Sequence, residues 1–156
     1  MRFGRKRGSQ PDESVLDYDS AIILDEEELA EGDIRRAYEE EVLPRLTAYL
    51  AEPWQLSEVM DSATPSYAVA AGGRSYAVHG PGIEENSWGR ATFALFDIVN
   101  RQLAAAPVWL YALNGGNELM GIVLTETEAA RAQAALPPRD RPWLPSADPP
   151  SYGQPS

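Results

Sequence analysis

The 156 residues contain no cysteine, a single histidine and a single lysine. Without cysteine there is no disulfide framework, no thiolate metal site and no cysteine nucleophile. The lone histidine, His79, has no second imidazole with which to build a metal triad. Long apolar runs are missing as well. The longest largely apolar stretch, Leu103 to Leu113, is about half of the roughly 20 residues a membrane helix needs. The basic N-terminus lacks the apolar core of a signal peptide, so a cytoplasmic protein with no membrane association is expected. Phosphate-binding signatures are absent too. Neither glycine pair, Gly72-Gly73 or Gly115-Gly116, leads into a helix carrying Lys and Ser or Thr. No metal or other cofactor is expected.

Acidic charge is what the chain has in quantity. The formal net charge is −11, and 12 of the 13 basic residues are arginine. From Pro11 onward there are 24 acidic and 9 basic residues, net −15. Such a surface repels phosphate backbones, which speaks against nucleic acid, and steers basic proteins toward it. The acids concentrate in one run, Asp25, Glu26, Glu27, Glu28, Glu31 and Asp33, and Glu39, Glu40 and Glu41 extend it. The run lacks the glycine and alternating oxygen ligands of an EF-hand loop.

The best-patterned stretch runs from Ser87 to Leu124. At 100° per residue, Trp88, Ala91, Thr92, Leu95, Phe96, Val99 and Leu103 fall on one side, with Ile98 at the margin. Arg90, Asp97 and Arg101 fall opposite, and Asp97 and Arg101 stand four apart, a spacing that permits a surface ion pair. Asn86 or Ser87 is the natural N-cap, Glu84 and Glu85 suit the positive end of the helix dipole, and Pro107 ends the segment. Val108 to Leu113 and Glu118 to Leu124 then read as a hairpin turning on Asn114-Gly115-Gly116-Asn117. Both faces of this hairpin are apolar, so it is either covered on both sides or offers an apolar surface to a partner.

Elsewhere the signals are local. Residues 1–14 read as a disordered basic tail. Ser20 to Leu24 is a short strand candidate, and Asp25 with Glu28 forms an N-cap pattern for a turn ending at Gly32. Asp33 to Ala51 reads as a helix kinked or split at Pro44. Between Pro53 and Pro65, Trp54, Leu56, Val59 and Met60 fit a strand or a packed loop. Tyr67 to Ala71 and Arg74 to His79 form a hairpin around Gly72-Gly73, with an alanine face (Ala68, Ala70, Ala77) where another element can approach. Thr125 to Glu128 is a capping box that opens an alanine-rich helix. Proline then dominates, but Trp143 and Leu144 are expected to dock.

These elements predict one α+β domain over residues 15–145, with a flexible tail over 146–156. A mainly antiparallel sheet of four to six strands would hold both glycine hairpins and pack against two main helices and a short C-terminal one. The tail carries two short peptide patterns, Arg139-x-x-Pro142-x-x-Pro145 and Pro149-Pro150-Ser151-Tyr152.

The absence of a catalytic motif favours a non-catalytic binding module with a basic protein partner, of the kind a toxin-neutralising immunity protein or similar inhibitor represents. Its surface residues would be Asp25, Glu26, Glu27, Glu28, Glu39, Glu40, Trp109, Tyr111, Asn114 and Asn117. One alternative is a small hydrolase-like enzyme, which requires His79, Glu84, Glu85 and Asp97 to meet in one pocket. Another is a homodimer anchored on Trp109 and Tyr111 of the second hairpin.

Overall fold

A computed structural model of the chain describes residues 15–83, 85–147 and 153. It is α+β, with six strands in two separate antiparallel sheets of three. The strands are β1 (Ile22–Ile23), β2 (Ser57–Asp61), β3 (Ser66–Ala71), β4 (Arg74–His79), β5 (Val108–Leu113) and β6 (Met120–Thr125). Helical pieces are α1 (Glu26–Glu28), α2 (Ile34–Arg36), the central helix α3 (Ser87–Gln102) and α4 (Glu126–Ala135). One sheet has the order β1-β6-β5 and the other β2-β3-β4. The two glycine hairpins therefore lie in different sheets, not in one. Local periodicity finds each hairpin but says nothing about which neighbour either accepts. Here the second hairpin takes β1 from nearly a hundred residues away, Ile22 pairing with Gly121.

The central helix is the hub. Gly89, Ala91, Thr92, Ala94, Leu95, Phe96, Ile98 and Val99 are all buried, a wider arc than one stripe. The reason is that β4 and β5 both pack on it, as do the pieces around α1. Asn86 stands at its N-cap with φ 67°, so the backbone turn starts the helix and the side chain does not cap it. Gly121 permits close packing on the same core, since a Cβ there would stand 3.2 Å from Leu110 and 3.7 Å from Phe96.

The second hairpin is covered on both faces. Val108, Leu110 and Ala112 join the main core under the central helix. Tyr111, Leu113, Ile122 and Leu124 turn the other way and pack with Leu16, Ala129, Ala132 and Leu136. Helices thus flank this sheet on both sides. The capping box forms as the sequence predicts, Glu128 N–H donating to Thr125 Oγ1 at 3.1 Å and Thr125 N–H to Glu128 Oε1 at 2.8 Å. Trp143 docks beside β5, exchanging backbone hydrogen bonds with Ala112 at 2.7 and 2.9 Å. Leu144 remains exposed. Pro142 is buried, which takes the first proline pattern out of reach. The second lies outside the described residues, as do residues 1–14.

The second predicted main helix is a composite. From Glu26 to Arg45 the chain passes through α1, a π turn (Leu29–Asp33), α2, a π stretch (Ala37–Val42) and a 3-10 turn (Leu43–Arg45). Gly32, at φ 121°, has non-helical backbone and kinks the path between α1 and α2, so the first turn ends there as the sequence predicts. Pro44 lies within the closing 3-10 turn, after which helical structure stops, so Leu46, Tyr49 and Leu50 are not on a second helical piece. In the first hairpin, Gly72 (φ 60°) and Gly73 (φ 80°) make a two-residue turn with both residues left-handed, the geometry that matches strand twist. Its Tyr67, Val69, Tyr76 and Val78 face is buried. Ala68 and Ala70 are half-buried and Ala77 is exposed, so the alanine face looks outward and no helix covers it among the described residues.

Candidate functional site

The acidic run folds into the composite segment and collects on its outside. Between Asp25 and Glu41 there are nine acids and two arginines, net −7. Asp25 caps the start, its Oδ1 accepting from Glu27 N–H at 2.9 Å and Glu28 N–H at 3.3 Å. The two arginines serve the segment itself. Arg36 forks onto Asp33 at 2.8 and 2.7 Å and reaches Glu40 and Glu41, while Arg35 pairs with Glu39 at 3.3 Å. The hydrogen bond to Asp33, ahead of the surrounding carboxylate charge, raises the Arg36 pKa further, so this guanidinium stays charged throughout. Glu28 and Glu31 are exposed, and neither side chain has a hydrogen-bonding or ion-pair partner among the described residues. They line a shallow groove of about 440 Å³ with Gly32, Asp33 and Arg36. A second groove continues from it past Leu24, Leu29 and Ala37 to Ile23, which is 74 % exposed.

Glu26 departs from its neighbours. It is fully buried, so it contributes nothing to the outer surface. Its Oε1 accepts from Gly116 N–H and its Oε2 meets the Thr92 hydroxyl, whose oxygen also lies 2.9 Å from Trp88 O. The acid therefore ties α1 to the central helix and to the turn of the second hairpin. Asn117 in that turn donates to Asp25 at 3.1 Å and to Glu27 at 3.1 Å. Asn114 takes φ 57° to make the bend, and its carbonyl accepts from Trp143 Nε1 at 3.0 Å. Asp25, Glu26, Glu27 and Asn117 are thus brought together to hold this turn, while Asn114 in the same turn holds Trp143. Glu39 and Glu40 lie on the exposed π stretch of the same segment. Trp109 and Tyr111 stand apart. Trp109 is half-buried against the C-terminal core, and Tyr111 is buried in it. Burial, and then the nearby Glu126 charge, raises the Tyr111 pKa.

The groups of a hydrolytic site are engaged elsewhere. His79 is half-buried, its ring 6.1 Å from that of Tyr67, and it lines neither groove. Asp97 accepts from Tyr76 Oη at 2.5 Å and from Arg74 at 2.8 Å. Arg101 turns away from Asp97 and donates to Gly72 O at 2.9 Å and to Tyr76 Oη at 3.2 Å. The expected Asp97–Arg101 pair is replaced by these longer-range partners because β4 covers that side of the helix. Glu85 is exposed, and Glu84 lies outside the described residues. Among the described residues no group of three or more His, Asp or Glu is arranged to hold a metal ion. None of the described helices is long and apolar enough to cross a membrane.

Sequence reading did not single out the surroundings of the groove. Met60 of β2 lies over Gly32, where an added Cβ would stand 2.2 Å from its Cε. Tyr67 links the same two elements, donating to Glu58 at 2.6 Å and accepting from Ile34 N–H at 3.2 Å. Burial, then the Glu58 hydrogen bond, holds its phenol protonated far above the usual range. Glycine at 32 was the one local signal, and it reads as a helix end by default. No protein-family model matches this sequence, and searches of curated proteins and of solved structures return no match.

Proposed function

We propose that the chain is a non-catalytic cytoplasmic binding module that presents the outside of its Asp25–Glu41 segment to a basic protein surface, as a toxin-neutralising immunity protein or similar inhibitor does. The observation that carries this reading is the unmatched charge of Glu28 and Glu31. Both arginines of the segment are spent on other carboxylates, so these two remain for a partner. Glu26 is left out of the contact set because it faces inward. Long-range attraction from such a surface speeds encounter and fades with salt.

The test is affinity capture from native lysate at low salt, run in parallel with the wild type and the Glu28→Gln/Glu31→Gln double variant. The expected result is one basic protein recovered at one-to-one stoichiometry, weakened by salt and lost with the double variant at unchanged melting temperature. Equal recovery by both proteins would remove the acidic surface as the determinant.

A further inference from the structure

Sheet edges are the second feature beside the groove. Strand β5 has its outer edge covered by Trp143, and β1 is two residues long with the π stretch packed near it. Strand β2 is different. It runs five residues, pairs on one side with β3, and has no strand on the other among the described residues. It holds no proline or lysine, and Glu58, the charge nearest its middle, is bonded to Tyr67. Val59 and Met60 are 67 % and 57 % exposed. A strand edge of this kind is a template for another extended chain.

We propose that β2 receives an extended segment of the partner as a fourth strand, and that alternate residues of this segment are basic. The inference rests on the functional reading above and specifies the partner's form. Side chains on an added strand alternate between two faces. On one face they would join Val59, which pairs with Ala68, on the small-residue outer surface. On the other they would lie beside Met60, hence beside Gly32 and the groove of Glu28, Glu31 and Asp33. The first set should be small and apolar, and the second arginine or lysine. The opposite edge of this sheet, β4, begins with Arg74 and has Arg101 near its turn, a poor match for a basic strand.

The probes are a peptide of about nine residues alternating arginine and valine, and one with the same arginines but proline at alternate valines, which cannot complete a ladder. Binding is read by titration and by amide hydrogen exchange over Ser57–Asp61. The expected result is one-to-one, salt-sensitive binding of the first peptide with slowed exchange in β2. The proline peptide, and the Val59→Lys variant with the first peptide, should each bind about tenfold more weakly or worse. Val59 is exposed, so the variant should melt with the wild type, and this is checked first. If both peptides bind equally, β2 exchange is unchanged and Glu28→Gln/Glu31→Gln abolishes binding, strand addition is overturned while the acidic surface stands. Binding of neither peptide overturns strand addition, and the capture experiment then judges the acidic surface separately. Slowed β2 exchange with rising protein concentration and no peptide would make a second copy the occupant and overturn the proposal.

Discussion

The two glycine turns look alike in sequence and are held in opposite ways. At Gly72-Gly73 the turn offers carbonyl oxygens, and a cation takes them. Arg101 donates to Gly72 O and Ala71 O while lying 4.9 Å over the Trp54 ring. At Gly115-Gly116 the turn offers an N–H, and an acceptor takes it, the Glu26 carboxyl oxygen Oε1. A tryptophan packs on each: Trp54 on Gly72 and Trp88 near Gly116. Both clamps also use the central helix, Arg101 from its last turn and Thr92 from nearer its start. Whether the clamping residue donates or accepts follows the backbone group that the turn leaves exposed. The difference in depth matters as much. Arg101 is only half-buried, whereas Glu26 is out of water entirely. A buried polar group is costly once its partner is gone, so the second clamp should matter more to stability.

The largest effect should come from Glu26. We predict that Glu26→Ala costs about 3 kcal/mol, from lost volume and an unpartnered Gly116 N–H. At a typical sensitivity for this chain length the melting temperature would fall by about 6–12 °C. Glu26→Gln keeps an acceptor for Gly116 and should cost clearly less. Equal losses for the two variants would break the clamp account. Next comes Gly72→Ala at about 2 kcal/mol, since the new Cβ would meet Trp54 at 2.3 Å in a left-handed backbone. Gly73→Ala has the same handedness and open space, so it should cost about 1 kcal/mol. The gap between them, read from denaturant melts, measures the Trp54 contact. Arg101→Lys keeps the charge but loses the fork and the stacking, and should cost about 1 kcal/mol. An unchanged melt would reduce that clamp to a surface ornament.

The smallest effect separates the turns by pH. Burial, then the hydrogen bond to Asp97, raises the Tyr76 pKa above its ordinary value near 10. A folded pKa above the unfolded one means the contribution is complete below about pH 10 and is lost as pH rises through the folded value. Tyr76 touches the Arg101 clamp, whereas the Glu26 clamp reaches its turn through Gly116 N–H and the central helix through Thr92. Alkaline titration followed by residue-resolved exchange should therefore loosen Gly72 before Gly116. The reverse order would contradict the assignment.

Where structure is local, sequence reading located it. The first hairpin, the central helix, the Thr125 capping box and the docking of Trp143 all follow from turn chemistry, periodicity or an isolated aromatic in a proline-rich stretch. What failed was long-range or depended on one residue's fit. Nothing near Ile22 announces Gly121 as its partner. Asp97 and Arg101 have ideal spacing for each other, yet Tyr76 and Arg74 outbid that local pair once β4 arrives. In a row of four acidic residues, Asp25 to Glu28, only the fold tells which one turns inward. The candidate surface was legible as charge. Its groove was not, because it depends on the kink at Gly32 lying beneath Met60 of a distant strand.

The pairing of β1 with β6 also sets a timetable. Ile22 and Ile23 leave the ribosome long before Met120 and Gly121 exist, a wait on the order of 5–20 s at ordinary synthesis rates. The central helix and β5 arrive within that interval, and the covering Trp143 comes later still. Strand β1 thus has no partner strand until β6 has been made, and this sheet should complete only after that point. The chain's early apolar residues, Ile22, Leu24 and Leu29, are the natural clients of a chaperone in the meantime.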